Sequence, residues 1–430
     1  MFRPLKVVDL ELSRPLDSVH DLTGAGEVQA LVRWHGIPLG RLTSAASPVD
    51  GADVTRTIAA QHWRTLMRRR VRAALQAAQP LDHLGLDDLQ QITPPPYTGP
   101  RPLVTVAVCT RNRPDDLARC LDALMQLDYP ALDLLVVDNA PDGDATARLV
   151  AGRYPRVRHV GEPRPGLDWA RNRAIQEARG EILAFTDDDA IVDPGWVTAL
   201  VRVFAEDPEV MAVTGLVVPY ELETDAQHLF EHYGGFGRGY EREWHSVPRR
   251  PDRADTLYIG AGLYGTGANM AYRRRVFETI GTFDPALDVG TVTQGGGDLD
   301  MFFRVLHHGL LLVYEPAALV RHRHRRTQAE LLRQLDGWGS GFYAYLARNA
   351  SMEPRARGPI IRFGLWYFWR RYVRRLLASL VSPTVPRALI LAELRGALAG
   401  VSRYRRARAA AATIAATPVP AAATSEAARL

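Results

Sequence analysis

The amino-acid sequence predicts an α/β protein whose centre is a doubly wound, mostly parallel sheet. Short and nearly all-apolar runs, such as "LVTVAVC" at 103–109, are typical of strands buried on both faces. Helical spacing follows these runs, as in Leu117, Leu121 and Leu124. Polar clusters stand where the runs end: "CTRNRP", "VDNAPDGD" and "TDDD". Because such sheets bind ligands at the carboxyl ends of their strands, we expect one site there.

The regions on either side of this central part have different sequence patterns. Residues before the sheet contain strand-like pieces such as "EVQALVRW" and a helical stretch at 53–78, and a stiff proline-rich segment follows them. The sequence therefore predicts a small N-terminal α+β domain of unknown role (1–91), a linker (92–102), the main domain (103–330), a basic helical extension (331–408) and a disordered Ala/Pro tail (409–430).

The charged residues are unevenly chosen and unevenly placed. Lys6 is the only lysine, which argues against Schiff-base chemistry and against a Gly-Lys-Ser/Thr phosphate loop. The composition is still compatible with a site in which arginines bind phosphate. The formal net charge is +5, yet fourteen arginines face only Glu393 and Glu426 after residue 354. That segment either meets an anionic partner or forms a solvated face.

No part of the sequence predicts secretion or a membrane span. The N-terminus lacks the apolar core of a signal peptide, and no apolar run reaches the roughly 18 residues that a spanning helix needs. We expect a cytoplasmic protein. The basic, aromatic stretch "RFGLWYFWRRYVRRLLASL" at 362–380 predicts peripheral contact with an anionic membrane at its inner face, or else packing against the main domain.

Three consecutive aspartates follow the apolar run "EILAF". Side chains alternate along a strand, so Asp187 and Asp189 should point to the same side. Two carboxylates on one side suit Mg²⁺ or Mn²⁺, and such an ion commonly bridges a diphosphate. The alternative is that one aspartate caps a helix near Pro194 while the others are solvated.

Two further strand ends carry candidate nucleotide contacts. Asp138 could accept hydrogen bonds from a base or a ribose, or could cap a helix. Thr110 and Arg111 begin the loop after the first strand and could touch a nucleotide, although an ordinary helix start before Pro114 explains them equally.

Acidic and imidazole groups recur later in the chain. The loop "GGGDLD" leads into a helix, and its aspartates, Asp298 and Asp300, could meet a ligand or merely cap that helix. In "VRHRHRR", His322 and His324 share one strand face and could share a metal, or could belong to a basic solvated edge.

The order of these motifs over residues 103–326 resembles the GT-A-fold inverting glycosyltransferases of glycosyltransferase family 2. The resemblance is carried by "TVAVCTRNRP", "LLVVDNAPDG", "PGLDWARNRAI", "FTDDDAIVDPGWV", "GTGANMAYRRRVFETIGTFDPAL", "GGGDLDMFFRV" and "VRHRHRR", in that order. It implies a GT-A-like sheet, a nucleotide-sugar donor and a divalent metal, Mn²⁺ or Mg²⁺, on the donor diphosphate.

The resemblance also assigns roles to residues. Asp187 and Asp189 match the metal-binding Asp-x-Asp, and His322, with His324 second, matches a histidine that completes that site. Asp298 matches the general base. The predicted donor-binding positions are Thr110, Arg111, Asp138, Arg171, Asn172, Asp187, Asp188, Gly267 and Asn269.

One position departs from the family pattern. An acidic residue usually precedes the base, and Gly297 stands there instead, which leaves Asp300 as a rival base. The sequence thus predicts a glycosyltransferase that inverts the anomeric centre and acts on a glycan, lipid-linked or envelope-polysaccharide acceptor. A non-catalytic nucleotide-sugar-binding scaffold is the alternative. No nucleic-acid-binding module is recognised, so we expect no nucleic-acid partner.

Overall fold

The structure is a computed structural model that describes residues 4–13, 27–45, 67–68, 96–247, 259–381 and 386–417. Apart from 67–68, the predicted helical stretch at 53–78 lies outside these ranges. The start of the predicted linker, 92–95, and the end of the predicted tail, 418–430, also lie outside them.

A three-stranded sheet comes first and packs directly on the main domain. It consists of β1 (Leu5–Glu11), β2 (Glu27–Trp34) and β3 (Ile37–Ala45). β2 pairs with β1 in parallel and with β3 antiparallel. Leu31 packs against Leu216 and Leu319 of the main domain. Arg33 adds an ion pair to Asp193, with 2.7 Å between Nη2 and Oδ2. The N-terminal sheet is therefore seated on the main domain by apolar and ionic contacts.

The main sheet is mixed but mostly parallel, as the sequence predicts. Its strands are β4 (Val104–Thr110), β5 (Leu132–Asn139), β6 (Val157–Glu162), β7 (Ile182–Asp187), β8 (Ala190–Val192), β9 (Val210–Pro219), β10 (Glu243–His245), β11 (Asn269–Arg273) and β12 (Leu311–His322). Their order is β10-β12-β9-β11-β7-β4-β5-β6, with β8 paired to β12. β4 runs parallel to β5 and to β7, and β12 runs parallel to β9. Thr110 pairs with Asp138 and Cys109 with Asp187, so three strand ends meet at one edge.

Helices cover both faces of this sheet. They are α1 (Pro114–Leu124), α2 (Ala145–Arg153), α3 (Leu167–Glu177), α4 (Trp196–Glu206), α5 (Asp225–Tyr233), α6 (Val276–Ile280) and α7 (Gly297–His307). The alternation along β4 separates two cores. Val106 belongs to the core beneath α1 and α4, which includes Trp196. Ala107 belongs to the opposite core, which includes Ala170 of α3 and Phe302 of α7.

The C-terminal part is a set of helices laid against α7 and α5. It comprises α8 (Gln328–Met352), α9 (Arg357–Phe368), a π-helical segment (Trp369–Val373), α10 (Arg374–Val381) and α11 (Arg387–Ala416). The alanine-rich end of α11 favours helix, so the helix continues to Ala416 through the first part of the predicted tail. Among the helices that the structure describes, none is both long and apolar enough to cross a bilayer.

Glycines allow α8 and α11 to approach closely. A Cβ added at Gly396 would lie 1.9 Å from the carbonyl oxygen of Asp336, and one at Gly339 would lie 2.0 Å from that of Glu393. Both obstacles are backbone atoms, which cannot rotate away. The two helices would have to separate to admit even a methyl group.

We expect Gly396→Ala to lower the midpoint of thermal unfolding, because overpacking of this kind costs about 1–3 kcal/mol. Gly358→Ala on α9 is the matched control, since its Cβ would meet nothing within 4 Å. That control should leave the midpoint unchanged or raise it. Equal midpoints for the two variants would show that the glycine contact between α8 and α11 is not tight in solution.

Candidate active site

A large cavity opens at the carboxyl ends of β4 and β7. Its volume is about 1900 Å³, and its wall includes Asp187, Asp189, His322, Arg171 and Asp298. The predicted acidic groups from two distant parts of the sequence therefore face one space.

The first acidic group lies where β7 turns into β8. Asp187 ends β7, Asp189 lies in the turn, and His322 ends β12, which pairs with β8. The Nε2 atom of His322 lies 3.0 Å from Oδ1 of Asp189 and 3.9 Å from Oδ2 of Asp187. Ligand atoms of all three residues lie within 4.8 Å of one another, which a metal ion could bridge.

Burial and the neighbouring charges shift the pKa values of Asp189 and Asp187 in opposite directions. Burial pushes the pKa of Asp189 up, but His322, Arg113 and Arg325 outweigh it and hold this pKa well below its usual value. Burial and the nearby Asp189 raise the pKa of Asp187. This residual repulsion is what a divalent cation would relieve, so the three side chains fit a metal.

Asp188 also lines the cavity, but its carboxylate has other partners than those of Asp187 and Asp189 in the first acidic group. Its carboxylate accepts a hydrogen bond from the Thr110 hydroxyl at 2.7 Å and pairs with Arg113 at 2.7 Å. Burial, opposed by Arg113, raises the pKa of Asp188 to about 6. Asp188 thus connects the end of β7 to the end of β4, next to the cluster of Asp187, Asp189 and His322.

His324 does not take part in that cluster. Its Nε2 lies 2.9 Å from Oε1 of Glu231, whose other oxygen pairs with Arg41 of β3 at 2.5 Å. Its ring packs against Phe230 and Phe236. His324 therefore belongs to the contact between the N-terminal sheet and the main domain.

The second acidic group lies at the start of α7. Asp298 accepts hydrogen bonds from the backbone N–H groups of Gly267 (2.7 Å) and Leu299 (2.9 Å). Burial and the charge of Asp288, opposed by Arg171, raise the pKa of Asp298 to about 6. A carboxylate with this pKa is mostly ionised at neutral pH and can still take up a proton readily.

Asp300 follows Asp298 two residues later, on a different side of α7, and has no exposed surface. Its carboxylate pairs with Arg304 at 2.7 Å and with Arg348 of α8 at 3.0 Å, and it accepts a hydrogen bond from the Asn349 amide. Asp300, which was predicted as the alternative base, thus connects α7 to α8 through these contacts. Of the two aspartates, Asp298 lines the cavity and Asp300 does not.

Comparison with known proteins agrees with this arrangement. Residues 105–281 match the family described as Glycosyl transferase family 2. Over these residues the chain is similar to glycosyltransferase family 2. This is the family that the order of the sequence motifs predicts.

The similar proteins are distant. The chain is 27% identical over 245 residues to polypeptide N-acetylgalactosaminyltransferase 5 of Caenorhabditis elegans, covering 54% of this chain and 38% of that protein. It is 30% identical over 246 residues to the O-antigen biosynthesis protein RfbC of Myxococcus xanthus, covering 55% and 18%. The chain thus spans less than half the length of either relative. A solved mannosyltransferase of Pyrobaculum calidifontis, in complex with GDP-Man and Mn²⁺, shares 20% identity over 86% of this chain and 88% of its own, with a TM-score of 0.40.

The departure from the family pattern at Gly297 has a structural explanation. A Cβ at position 297 would lie only 2.2 Å from Oδ2 of Asp168, a fully buried residue of α3. Asp168 thus occupies the space that an acidic side chain before Asp298 would need. Sequence analysis missed Asp168 because it is 129 residues away in the chain and looks like an ordinary first-turn aspartate of α3.

Arg171 is the charge at the centre of the site. Its Nη1 lies 3.0 Å from Asp168 and 2.6 Å from Asp288. Despite burial, its aspartate neighbours raise the pKa of Arg171 well above its usual value, and Asp187 and Asp298 both contribute to this rise. Gly267 gives it room, since a Cβ there would lie 2.6 Å from Nη2 of Arg171. The two acidic groups are therefore coupled through one buried guanidinium.

The remaining candidates for nucleotide binding lie at the strand ends, and they differ in whether they line the cavity. Thr110 and Arg111 line the cavity. Asp138 is buried beside them, with Oδ2 3.5 Å from Nε2 of His159 and no hydrogen-bond partner for Oδ1 among the described residues. At this point the cavity wall is Asn139, which the sequence reading did not single out.

Two predicted contacts have structural roles instead. The Asn172 side chain clamps the backbone of Phe283 with two hydrogen bonds of 2.9 Å. Asn269 is fully buried, accepts from the Trp196 indole and donates to two backbone carbonyls between strands. Neither residue lines the cavity, so both amides serve the fold.

We expect His322→Gln to weaken Mn²⁺ binding by more than about 10-fold, the loss typical of even indirect supporting residues. Asp189→Asn should do the same, because a hard cation loses a charged oxygen ligand. His324→Gln is the control and should bind Mn²⁺ as the unmodified protein does. Titration of the protein with Mn²⁺, followed by electron paramagnetic resonance, measures all three. Equal losses at both histidines would contradict the assignment of the cluster.

Proposed function

We propose that this protein transfers a sugar from a nucleotide-diphosphate sugar to an acceptor hydroxyl, with inversion at the anomeric carbon. The observation that carries the proposal is the pair of acidic groups in one cavity. Asp187, Asp189 and His322 form one group, Asp298 forms the other, and Arg171 is electrostatically coupled to both. The match of residues 105–281 to the model of family 2 supports the same reaction.

The first group suits the leaving diphosphate. Asp187, Asp189 and His322 would hold Mn²⁺ or Mg²⁺, which, when bound, neutralises charge that develops on the leaving phosphate. Arg113 and Arg325 keep Asp189 ionised and thus ready as a ligand. Thr110 and Arg111 are placed to contact the nucleoside at the end of β4.

The second group suits the acceptor. Direct displacement requires the hydroxyl to lose its proton as its oxygen bonds to the anomeric carbon. Asp298 can accept that proton, since its pKa of about 6 leaves it ionised at neutral pH. The Gly267 N–H fixes one carboxylate oxygen in place. The bond to the leaving phosphate breaks as the new glycosidic bond forms.

The names of two similar proteins support an acceptor in the class of glycans or lipid-linked sugars, although the relatives also include polypeptide N-acetylgalactosaminyltransferases. One relative is named as an O-antigen biosynthesis protein. Another, from Haloferax volcanii, is named as a glucosyl-dolichyl phosphate glucuronosyltransferase and is 24% identical over 189 residues. We propose that the acceptor of this protein belongs to the same class, which includes envelope polysaccharide.

A binding scaffold without turnover is the second candidate, and the observation that favours it is Gly297. Asp168 fills the adjacent space but is tied to Arg171. Single-turnover measurement with Mn²⁺ and labelled donor separates the two candidates, because a scaffold retains the donor intact.

Asp298→Asn should lower the transfer rate by about 100-fold or more, as expected when a general base is removed. The unmodified protein should also lose activity as the pH falls through about 6, because Asp298 becomes protonated below the pKa that burial gives it. Below this pH the rate should fall by about tenfold per pH unit. Initial rates at saturating donor, measured from pH 5 to 8, test both points.

Two controls accompany this measurement. Donor binding should persist in Asp298→Asn, and its residual rate should lack the step near pH 6. Asp300→Asn breaks the ion pairs with Arg304 and Arg348, so it should lower thermal stability more than rate per folded molecule. The assignment of the base is wrong if Asp300→Asn loses transfer while folded and Asp298→Asn keeps it.

We also propose peripheral contact with an anionic membrane through the face of α9 and the π-helical segment. Leu365 and Trp369 on this face are 69% and 56% exposed. Arginines flank them along the same helices. Apolar side chains beside basic ones suit the headgroup layer of an anionic bilayer.

The protein should sediment with vesicles that contain phosphatidylglycerol, and added salt should release it, because each basic residue contributes about 1 kcal/mol that salt screens. Leu365→Ser with Trp369→Ser should reduce the bound fraction severalfold. Leu398→Ser on α11 removes an equally exposed leucine elsewhere and should not. Equal sedimentation of the two variants would refute membrane contact through this face.

A further inference from the structure

The cavity is larger than one donor needs. Ligand pockets commonly measure roughly 300–1,000 Å³, whereas this cavity measures about 1900 Å³. The part beyond Asp298 is walled by α9, the π-helical segment and α10. Arg362, Trp366, Arg370 and Arg374 line this part, and so does the residue after each of them.

The spacing of these residues requires the π-helical segment. In an α-helix with 3.6 residues per turn, positions four apart drift by about 40° at each step. Three such steps, from Arg362 to Arg374, would turn the last side chain far from the cavity. The wider turn at Trp369–Val373 takes more residues per turn and offsets much of that drift. The segment thus keeps one row of side chains on the cavity.

The arginines of this row are largely uncompensated. We call Arg362, Arg370, Arg371, Arg374 and Arg375 the arginine face. Only Arg371 of this face forms an ion pair within the described part of the chain, at 3.1 Å from Glu393.

Two arginines of the neighbouring helix α11 are paired instead. Arg395 and Arg403 of α11 both pair with Asp336. On the arginine face, the Nη1 atom of Arg375 is buried and has no hydrogen-bond partner among the residues that the structure describes. Several arginines close together, one of them with a buried N–H group that has no acceptor, favour binding of an anion. The planar guanidinium group is suited to bind phosphate.

Apolar and aromatic side chains lie beside these charges. The Arg370 guanidinium lies 5.7 Å from the centre of the Trp366 ring. Tyr367 stacks on Phe342 of α8, with ring centres 4.5 Å apart. Leu365 and Trp369 directly precede the cavity-lining Trp366 and Arg370 in sequence and are exposed. An occupant of this region therefore meets positive charge inside and apolar surface at the rim.

We propose that the arginine face binds the phosphate of an acceptor that carries a phosphate or diphosphate on a hydrocarbon chain. The phosphate lies against Arg370 and Arg374, and the chain leaves past Leu365 and Trp369. The hydroxyl to be glycosylated then points back toward Asp298 in the same cavity. This inference rests on the proposed transfer reaction and names its acceptor class.

Binding of decyl phosphate tests the inference without any transfer. Calorimetry of the full chain in EDTA, below the critical micelle concentration of the probe, excludes metal-dependent binding at the donor site. We expect Arg370→Gln with Arg374→Gln to weaken decyl phosphate binding at least tenfold. Inorganic phosphate and decanol should each bind at least tenfold more weakly than decyl phosphate to the unmodified protein.

The matched control is Arg405→Gln with Arg408→Gln, which removes the same charge from exposed positions of α11. It should bind decyl phosphate as the unmodified protein does. Mn²⁺ binding should persist in both double variants, which shows that they fold. Equal binding by the two double variants overturns the inference, as does inorganic phosphate or decanol binding as tightly as decyl phosphate. Absence of sugar transfer in an otherwise intact protein would overturn the proposed reaction and leave this binding result standing.

Discussion

Repulsion among three adjacent carboxylates is the constraint on which the site depends. Burying Asp187, Asp188 and Asp189 at the end of β7 costs free energy unless cations lie close by. The fold supplies them from separate parts of the chain: Arg113 follows β4, and His322 ends β12. Because the pairing of β12 with β8 and with β9 places His322, the cluster forms only when these strands are assembled. The site and the fold are therefore specified together.

The sequence predicted the local part of this arrangement well. Apolar runs ending in polar residues located the sheet edge, and the alternation of strand side chains placed Asp187 and Asp189 on one side. The same alternation could not separate His322 from His324. β12 ends at His322, and the chain beyond it no longer follows the strand period. His324 is free to turn toward Glu231, a contact that no local pattern encodes.

Contacts between distant segments account for the other differences. Asn172 and Asn269 stand beside predicted site residues in sequence, but their amides satisfy backbone groups that only the folded chain brings near. Buried amides of this kind must be hydrogen-bonded, which withdraws them from ligand binding. Arg171 shows the reverse case. Its Nη1 atom contacts both Asp168, three residues before it in α3, and Asp288, 117 residues after it, and only the folded chain brings Asp288 near.

The exchange between Gly297 and Asp168 makes the two positions epistatic. Restoring an acidic side chain at 297 alone would force two carboxylates into one buried space, and removing Asp168 alone would leave Arg171 with one partner fewer. Each single step crosses a less stable intermediate, whereas the paired change conserves both volume and charge. The effect of a substitution at position 297 therefore depends on which residue stands at position 168.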